Sequence, residues 1–156
     1  MINVKQKTKL AEVFKKNLVI LAYLFGSAAR GRIGPLSDID IAVLFSEKVK
    51  KENYFDRRLK LASEIDKALK LYKTEVACLN EASPLLKHQA VFYGAPIFIS
   101  DLELKRNFEL RVLQEYEDTK YLMDVMFKSM EKRIKRWTFG KSFFPPKKEE
   151  VFSKII

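Results

Sequence analysis

Apolar residues recur along this chain in steps of three and four, the spacing of one face of a helix. Leu10, Val13 and Phe14 predict an amphipathic helix over residues 3–15. A second helix is predicted over residues 53–71, with an apolar face formed by Phe55, Leu59, Ala62, Ile65 and Leu69. Between Ser83-Pro84 and Gly94 a shorter helix is predicted, because Ser is a good N-cap and Pro suits the first turn.

Continuous apolar runs predict strands that are buried on both faces. Such a run covers residues 18–25, and strands are also predicted over 37–45 and 74–79, which contain acidic residues, and over the short segment 96–99. The first run ends at Gly26, and a short helix over residues 27–32 and a turn at Gly34-Pro35 separate it from the second. Helices and strands therefore alternate along the chain.

A long helix is predicted from Asp101 to about Arg136. Its apolar stripe contains Phe108, Val112, Tyr116, Met123, Met126 and Met130. This stripe is too long to be covered by one small sheet. It is a core face for part of its length and a partner face for the rest, so we expect an oligomer or a hetero-oligomer.

Composition limits the class of protein. The 156 residues are 47% apolar, which suits a globular chain with its own core. No apolar run has the ~20 residues needed to span a membrane, and the N-terminus lacks the apolar segment of a signal peptide. The single cysteine, Cys78, excludes an internal disulfide and suits a reducing cytoplasm. With only one histidine, a zinc site is not expected.

The charge is +10 overall, from 30 Lys and Arg against 20 Asp and Glu. Residues 131–156 hold eight basic and three acidic side chains, with aromatic residues between them, so +5 falls in this extension. We therefore divide the chain into a domain over 1–130 and a basic, aromatic extension over 131–156. The extension is either a contact for nucleic acid or a partner, or an arm packed on its own domain; nucleic-acid binding is possible but not favoured. Ion-pair networks of heat-loving proteins are another explanation for the many charges.

Candidate chemistry lies between the first two predicted strands. Gly26-Ser27 offers close backbone approach and a hydroxyl at a helix start, where phosphate binds well. Ten residues later, Asp38 and Asp40 are two apart in a strand and so share one face. Such paired carboxylates favour a divalent cation such as Mg²⁺, while Arg30 and Arg32 are candidate phosphate partners. The combination suggests nucleotidyl transfer. The alternative is a plain hairpin with two surface carboxylates.

Over these residues, LFGSAARGRIGPLSDIDIAVLF, the chain resembles the DNA polymerase β-like nucleotidyltransferases, and in particular their minimal nucleotidyltransferase (MNT) branch. The resemblance extends in outline over residues 10–130. It implies an α/β fold of the α+β kind: a small mixed sheet flanked by helices, similar to the polymerase β palm, with a long C-terminal helix. It also implies two Mg²⁺ ions, ATP as substrate, and Gly26 and Ser27 as nucleotide-binding residues, with Arg30 as a helper.

Glu75 is the candidate for a third acid. It lies in the predicted strand KTEVACLN. If this strand is next to the strand of Asp38 and Asp40 in the sheet, Glu75 lies beside those two acids. The resembling family most often has Asp here. Glu75 would complete a catalytic and metal-binding set with Asp38 and Asp40 and act as a base. The alternative is a strand-end carboxylate paired with Lys73 or Lys154. Asn80 and Glu81, just after the strand, either line the nucleotide pocket or form a turn.

The branch contains adenylyltransferase antitoxins paired with HEPN-domain toxins. The resemblance therefore implies a protein adenylyltransferase (an AMPylator) that transfers AMP to a hydroxyl, expected to be a tyrosine, of a HEPN ribonuclease toxin. Two alternatives remain open: transfer to a small molecule of the aminoglycoside type, and an antitoxin that binds without catalysis.

Overall fold

The computed structural model describes residues 4–29, 38–70 and 73–135. In these residues helices and strands alternate as expected. The helices are α1 (Val4–Lys16), α2 (Gly26–Ala29), α3 (Tyr54–Leu69), α4 (Pro84–Phe92) and α5 (Leu102–Lys135), and a 3₁₀ turn (Lys51–Asn53) precedes α3. The strands are β1 (Val19–Phe25), β2 (Ile39–Phe45), β3 (Thr74–Cys78) and β4 (Ala95–Ile99). The predicted turn at Gly34-Pro35 lies outside the described residues.

The four described strands form one mixed sheet in the order β3-β2-β1-β4. β1 is antiparallel to both β2 and β4, whereas β2 and β3 are parallel. The parallel pair is connected through α3, since parallel neighbours need a long crossover. The predicted α/β fold, with a mixed sheet, flanking helices and a long C-terminal helix, is confirmed.

Each face of the sheet is covered by a different set of helices. On one face, Leu10 and Phe14 of α1 and Leu61 and Ile65 of α3 pack against alternate residues of the strands. On the other face, a second cluster joins the remaining strand residues to α4 and α5. It consists of Leu21, Tyr23, Ala42, Leu44, Leu79, Ala90, Val91, Phe108 and Val112. Burial on both faces explains why the strands appear as continuous apolar runs.

The buried face of α3 shares Ala62, Ile65 and Leu69 with the predicted one, but it excludes Phe55 and Leu59 and includes Leu61. Leu61, Ile65 and Leu69 are buried, whereas Phe55 and Leu59 are exposed. Both sets have helical spacing, so periodicity alone does not select between them. The position of the sheet selects the face, and Phe55 instead lies under the Arg58 guanidinium, 5.8 Å from the ring centre.

A buried hydrogen bond joins α1 to α3. The side-chain amide of Asn17, which follows α1, donates to the backbone oxygen of Val13 at 2.9 Å and to Glu64 Oε2 at 2.6 Å. Lys16 Nζ lies 3.4 Å from the other carboxylate oxygen. These contacts lower the pKa of Glu64, chiefly through the Asn17 hydrogen bond.

The chain divides into two compact units, residues 1–119 and residues 120–156. The sheet and α1 to α4 lie in the first unit, and the last part of α5, from Lys120 to Lys135, lies in the second. The predicted boundary at residue 130 stays a prediction. Among the described residues, no helix combines the length and the apolar character that a membrane crossing requires.

Candidate active site

The register of β2 and β3 places two of the predicted acids side by side. Asp40 pairs with Glu75 in the parallel ladder, and on its other side it pairs with Phe25 of β1. Because strands pair residue by residue, carboxylates that are distant in sequence become direct neighbours. The expectation that β3 brings Glu75 beside Asp40 is confirmed.

Both carboxylates belong to the same face of the sheet. Ile41 and Val43 of β2 belong to the core under α1 and α3, so Asp40 lies on the opposite face with Ala42. In β3, Val76 also belongs to the α1–α3 core, which assigns Glu75 to the face of Asp40. The site therefore forms at the end of the sheet where β1 finishes and β2 and β3 begin.

The electrostatics of Asp40 reflect this crowding of acids. Partial burial raises the pKa of its carboxyl group above the ordinary value of 3.8, and the negative charges of Glu75 and then Asp38 raise it further. Each effect disfavours the ionised form. A cation among these three carboxylates would relieve the repulsion, which is the chemical reason that their donor set suits Mg²⁺.

Asp38 immediately precedes β2, and its side chain binds a lysine. Lys73 Nζ donates to Asp38 Oδ2 at 2.7 Å, and the Lys73 backbone oxygen accepts from the Ile39 N–H at 3.1 Å. Asp38 and Lys73 are aligned because they precede two strands that start in register. Lys73 therefore pairs with Asp38, and not with Glu75 as the alternative interpretation supposed.

In this arrangement the acids do not form a complete ligand set. Within the described part of the chain, no group of three or more His, Cys, Asp or Glu side chains is placed closely enough to hold a metal ion. The Asp38 carboxylate is bound to Lys73, so metal binding would require it to leave that lysine. The carboxylate oxygens are suitable ligands for a divalent cation, but the Lys73 ammonium group competes with such a cation for Asp38.

Gly26 lies directly against Asp40. It follows β1 and begins α2 with φ of +71°, a conformation that glycine adopts readily and other residues rarely do. A Cβ atom at this position would overlap Asp40 Oδ2 and would lie 2.9 Å from Asp40 Cγ. Glycine is therefore required both for the backbone turn and for the space that the carboxylate occupies.

Of the other predicted nucleotide-binding residues, the structure describes Ser27 but not Arg30. Ser27 is exposed in the first turn of α2, directly after Gly26. Arg30 and Arg32 lie outside the described residues, so their proximity to the acids stays a prediction.

Asn80 has a structural role. Its side-chain oxygen accepts from the Phe45 N–H at 2.8 Å, and its amide donates to the Phe45 oxygen at 3.0 Å. These two bonds fix the turn after β3 to the end of β2, as the turn interpretation predicted. The sequence named Lys73 only as an alternative partner of Glu75. It did not reveal the pairing of Lys73 with Asp38, which depends on the register of β2 and β3.

Three comparisons place the chain among known proteins. The family model described as "Polymerase beta, Nucleotidyltransferase" matches residues 8–103. No curated protein sequence matches. Several solved structures share the fold at low sequence identity.

One similar structure is a chain of a toxin–antitoxin complex with AMP-PNP. It is 24% identical with a TM-score of 0.66, over 80% of this chain and 98% of that one. Another is from a complex of the tri-AMPylated HEPN toxin of Shewanella oneidensis with an MNT antitoxin. It is 23% identical with a TM-score of 0.61, over 81% and 96% of the two chains.

The structural likeness shows the fold, and the family model covers more than half of the sequence, including the Gly26-Ser27 and Asp38–Asp40 segments and Glu75. The matched residues also contain the whole four-stranded sheet. This chain therefore belongs to the polymerase β family of nucleotidyltransferases.

Proposed function

We propose that this protein is a Mg²⁺-dependent adenylyltransferase that transfers AMP from ATP to a tyrosine hydroxyl of a HEPN ribonuclease toxin, and that it thereby acts as an antitoxin. The observation that carries the proposal is the pairing of Asp40 with Glu75 at one end of the sheet, against Gly26. This end of the sheet combines paired acids with a glycine turn that leads directly into the first turn of α2, and both are features that nucleotidyl transfer can use.

In the proposed mechanism, the backbone at Gly26 and the Ser27 hydroxyl hold the terminal phosphates of ATP. The Asp40 carboxylate fills the space that a side chain at Gly26 would need, so Gly26 allows the phosphate-binding turn and the acid to lie side by side. Arg30 is the proposed cationic helper. Asp38, Asp40 and Glu75 would hold two Mg²⁺ ions, which would neutralise the negative charge of the phosphates.

Glu75 is the proposed general base. Its carboxylate accepts the proton of the acceptor hydroxyl while the hydroxyl oxygen forms a bond to the α-phosphorus. The bond between the α-phosphorus and the oxygen bridging to the β-phosphate breaks, and pyrophosphate leaves. Asp40 lies on β2 between Phe25 of β1 and Glu75 of β3. Pairing on both sides of its strand therefore fixes the position of Asp40 beside Glu75.

A protein acceptor is supported by two considerations. The similar structures include a HEPN toxin that is tri-AMPylated and bound to its MNT antitoxin. In addition, α5 continues beyond residue 103, where the family match ends, and while its Phe108 and Val112 pack in the core, its exposed Leu110 and Leu113 form an apolar surface for a partner. An AMP group on the toxin adds a bulky anion where an RNA phosphate would approach, so it would oppose RNA binding.

The experiment is co-expression with a HEPN toxin encoded beside this chain, followed by mass spectrometry of the toxin. The parent protein should add mass in steps of one AMP, and the ribonuclease activity of the toxin should fall in parallel. Glu75→Gln should still bind the toxin but modify it slowly. Glu47→Gln, at an exposed acid in the loop after β2, is the matched control and should behave as the parent.

The alternatives give different results. A binding-only antitoxin would leave the toxin unmodified and inhibited equally by the parent and by Glu75→Gln. A small-molecule transferase would label an aminoglycoside and leave the mass of the toxin unchanged. Either result would overturn the proposed protein acceptor.

A further inference from the structure

The helices that cover the two faces of the sheet differ in charge. On the face covered by α1 and α3, residues 6–16 and the whole of α3 hold eight basic and four acidic side chains, a net charge of +4. On the other face, α4 and residues 102–119 of α5 hold four basic and five acidic side chains, a net charge of −1. The candidate active site lies on this second face, so the excess of positive charge is on the face away from it.

Four lysines form two rows along the line where α1 packs on α3. Lys9 and Lys16 are two helical turns apart, so they lie on one side of α1. This side borders α3, because Lys16 Nζ lies 3.4 Å from Glu64 Oε1. Lys60 and Lys67 lie one turn before and one turn after Glu64, so they lie on the side of α3 that borders α1. We name Lys9, Lys16, Lys60 and Lys67 the basic seam.

Most of the positive charge of the basic seam has no acidic partner. All four lysines are exposed, and Lys16 is the only one of them that forms an ion pair with a described residue. The pKa of Glu64 is lowered chiefly by the hydrogen bond from Asn17, and the charges of Lys16 and Lys60 lower it further. Asp56, one turn before Lys60, is exposed and forms no ion pair with it. Like charges this close repel one another, so an external anion would relieve the repulsion.

The surroundings of the basic seam favour a polyanion over a protein or a membrane as the partner. The exposed side chains beside the two rows, Glu12 and Ser63, are polar. The exposed apolar side chains of α3, Phe55 and Leu59, lie roughly 80–140° around the helix from the lysines of α3. Among the described residues, the seam therefore lacks the apolar side chains that fill the centre of a protein interface or that a membrane-bound helix inserts.

We propose that the basic seam binds the sugar–phosphate backbone of a nucleic acid, RNA or DNA. The two lysines of each row are about 10 Å apart along their helix, and their flexible side chains can each reach a phosphate. An ammonium group is a point charge without the planar fork of arginine, and contacts to phosphate carry no information about the bases. We therefore expect binding that does not depend on base sequence and that weakens steeply with salt.

The test is fluorescence anisotropy of labelled duplexes, one of DNA and one of RNA, titrated with the full chain at several KCl concentrations. If each of the four lysines neutralises one phosphate, the logarithm of DNA affinity falls with the logarithm of salt with a slope of about −3.6. Lys60→Gln with Lys67→Gln should reduce this slope to about −1.8 and weaken binding at low salt by more than about tenfold. A second DNA duplex of unrelated sequence should bind with the same affinity.

Control variants separate the basic seam from the net charge of the protein. Arg106→Gln with Arg111→Gln removes the same charge from exposed positions of α5, on the other face, and should leave the slope unchanged. Lys147→Gln with Lys148→Gln removes it from the basic extension and should also leave the slope unchanged. Glu12→Gln removes an exposed acid beside the lysines of α1 and should strengthen binding a few-fold. Circular dichroism should show that every variant is folded.

Several outcomes would overturn the proposal. One is parent affinity and slope in the Lys60→Gln, Lys67→Gln variant, and another is a loss of binding confined to the variant of the basic extension. A third comes from pelleting with vesicles of phosphatidylserine and phosphatidylcholine: binding to vesicles that the seam variant loses, without a loss of nucleic-acid binding, would assign the lysines to a membrane. None of these measurements depends on nucleotidyl transfer.

Discussion

Asp40 on β2 and Glu75 on β3 are direct neighbours in the parallel ladder, with Gly26 against the Asp40 carboxylate. The negative charge of Glu75 adds to partial burial in raising the pKa of Asp40, so the metal-free site is electrostatically unfavourable. In the proposed reaction this cost is offset when Mg²⁺ ions bind among the carboxylates. The arrangement of acids therefore lowers the stability of the metal-free protein.

We expect Asp40→Asn to abolish AMP transfer and to raise the melting temperature of the metal-free protein by a few degrees at neutral pH. The folded-state pKa of Asp40 is raised, so its ionisation opposes folding as the pH rises through that pKa. The increase in melting temperature of Asp40→Asn over the parent should disappear as the pH falls below 3.8, because the Asp40 carboxyl is then protonated in both the folded and the unfolded state. Thermal unfolding in EDTA across pH measures this. Asp56→Asn, at an exposed acid of α3, is the control, and near-normal transfer by Asp40→Asn would contradict the assignment.

Gly26→Ala should be much more damaging than Ser27→Ala. Alanine at a φ of +71° costs about 1–2 kcal/mol, and its Cβ would also displace the Asp40 carboxylate. Ser27→Ala removes one exposed hydroxyl and should weaken Mg²⁺-ATP binding only a few-fold. Calorimetry with Mg²⁺-ATP gives the order of the two effects. If Gly26 were only a turn residue, its substitution would lower the melting temperature without weakening nucleotide binding beyond Ser27→Ala.

Lys73→Met should tighten Mg²⁺ binding a few-fold, because the ammonium group bound to Asp38 competes with a metal for that carboxylate. The effect should be modest, since Lys73 is mostly exposed and its ion pair is screened by water. Lys67→Met, at an exposed position of α3, is the matched control for the loss of one positive charge. Calorimetric titration of Mg²⁺ into the three proteins is the measurement, and equal affinities would show that Lys73 does not compete.

Glu64→Gln should lower the stability of the fold by about 1 kcal/mol at pH 7, because the carboxylate accepts a charge-assisted hydrogen bond from buried Asn17. The pKa of Glu64 is lowered in the fold, so its stabilising effect is present above the ordinary value of 4.5 and is lost as the pH falls through the folded-state pKa. The difference between parent and variant in urea unfolding should therefore disappear in acid. Asp56→Asn again serves as the control on α3, and a difference that persists in acid would exclude a charge effect.

The sequence by itself determined the order of elements and the chemistry of the site. β1 and β2 are continuously apolar over most of their length because both faces of the strands are buried, and such runs are visible without any structure. Gly26 and the Asp38–Asp40 pair were visible because their spacing is local. They lie within one connection between two strands, so no long-range contact is needed to see them together.

Only the tertiary structure decided which distant residues meet. Glu75 is beside Asp40, and Lys73 is beside Asp38, because β2 and β3 pair in one parallel register, which depends on many contacts of the whole sheet. On α3, the sheet selected a buried face that contains Leu61 with Ile65 and Leu69 and leaves Leu59 exposed, although both overlapping sets of residues have helical spacing. Periodicity marks an apolar face, but packing decides which part of it is covered. The sequence predicted a partner face somewhere along α5, and the structure decided that Phe108 and Val112 are buried whereas Met126 and Met130 are exposed.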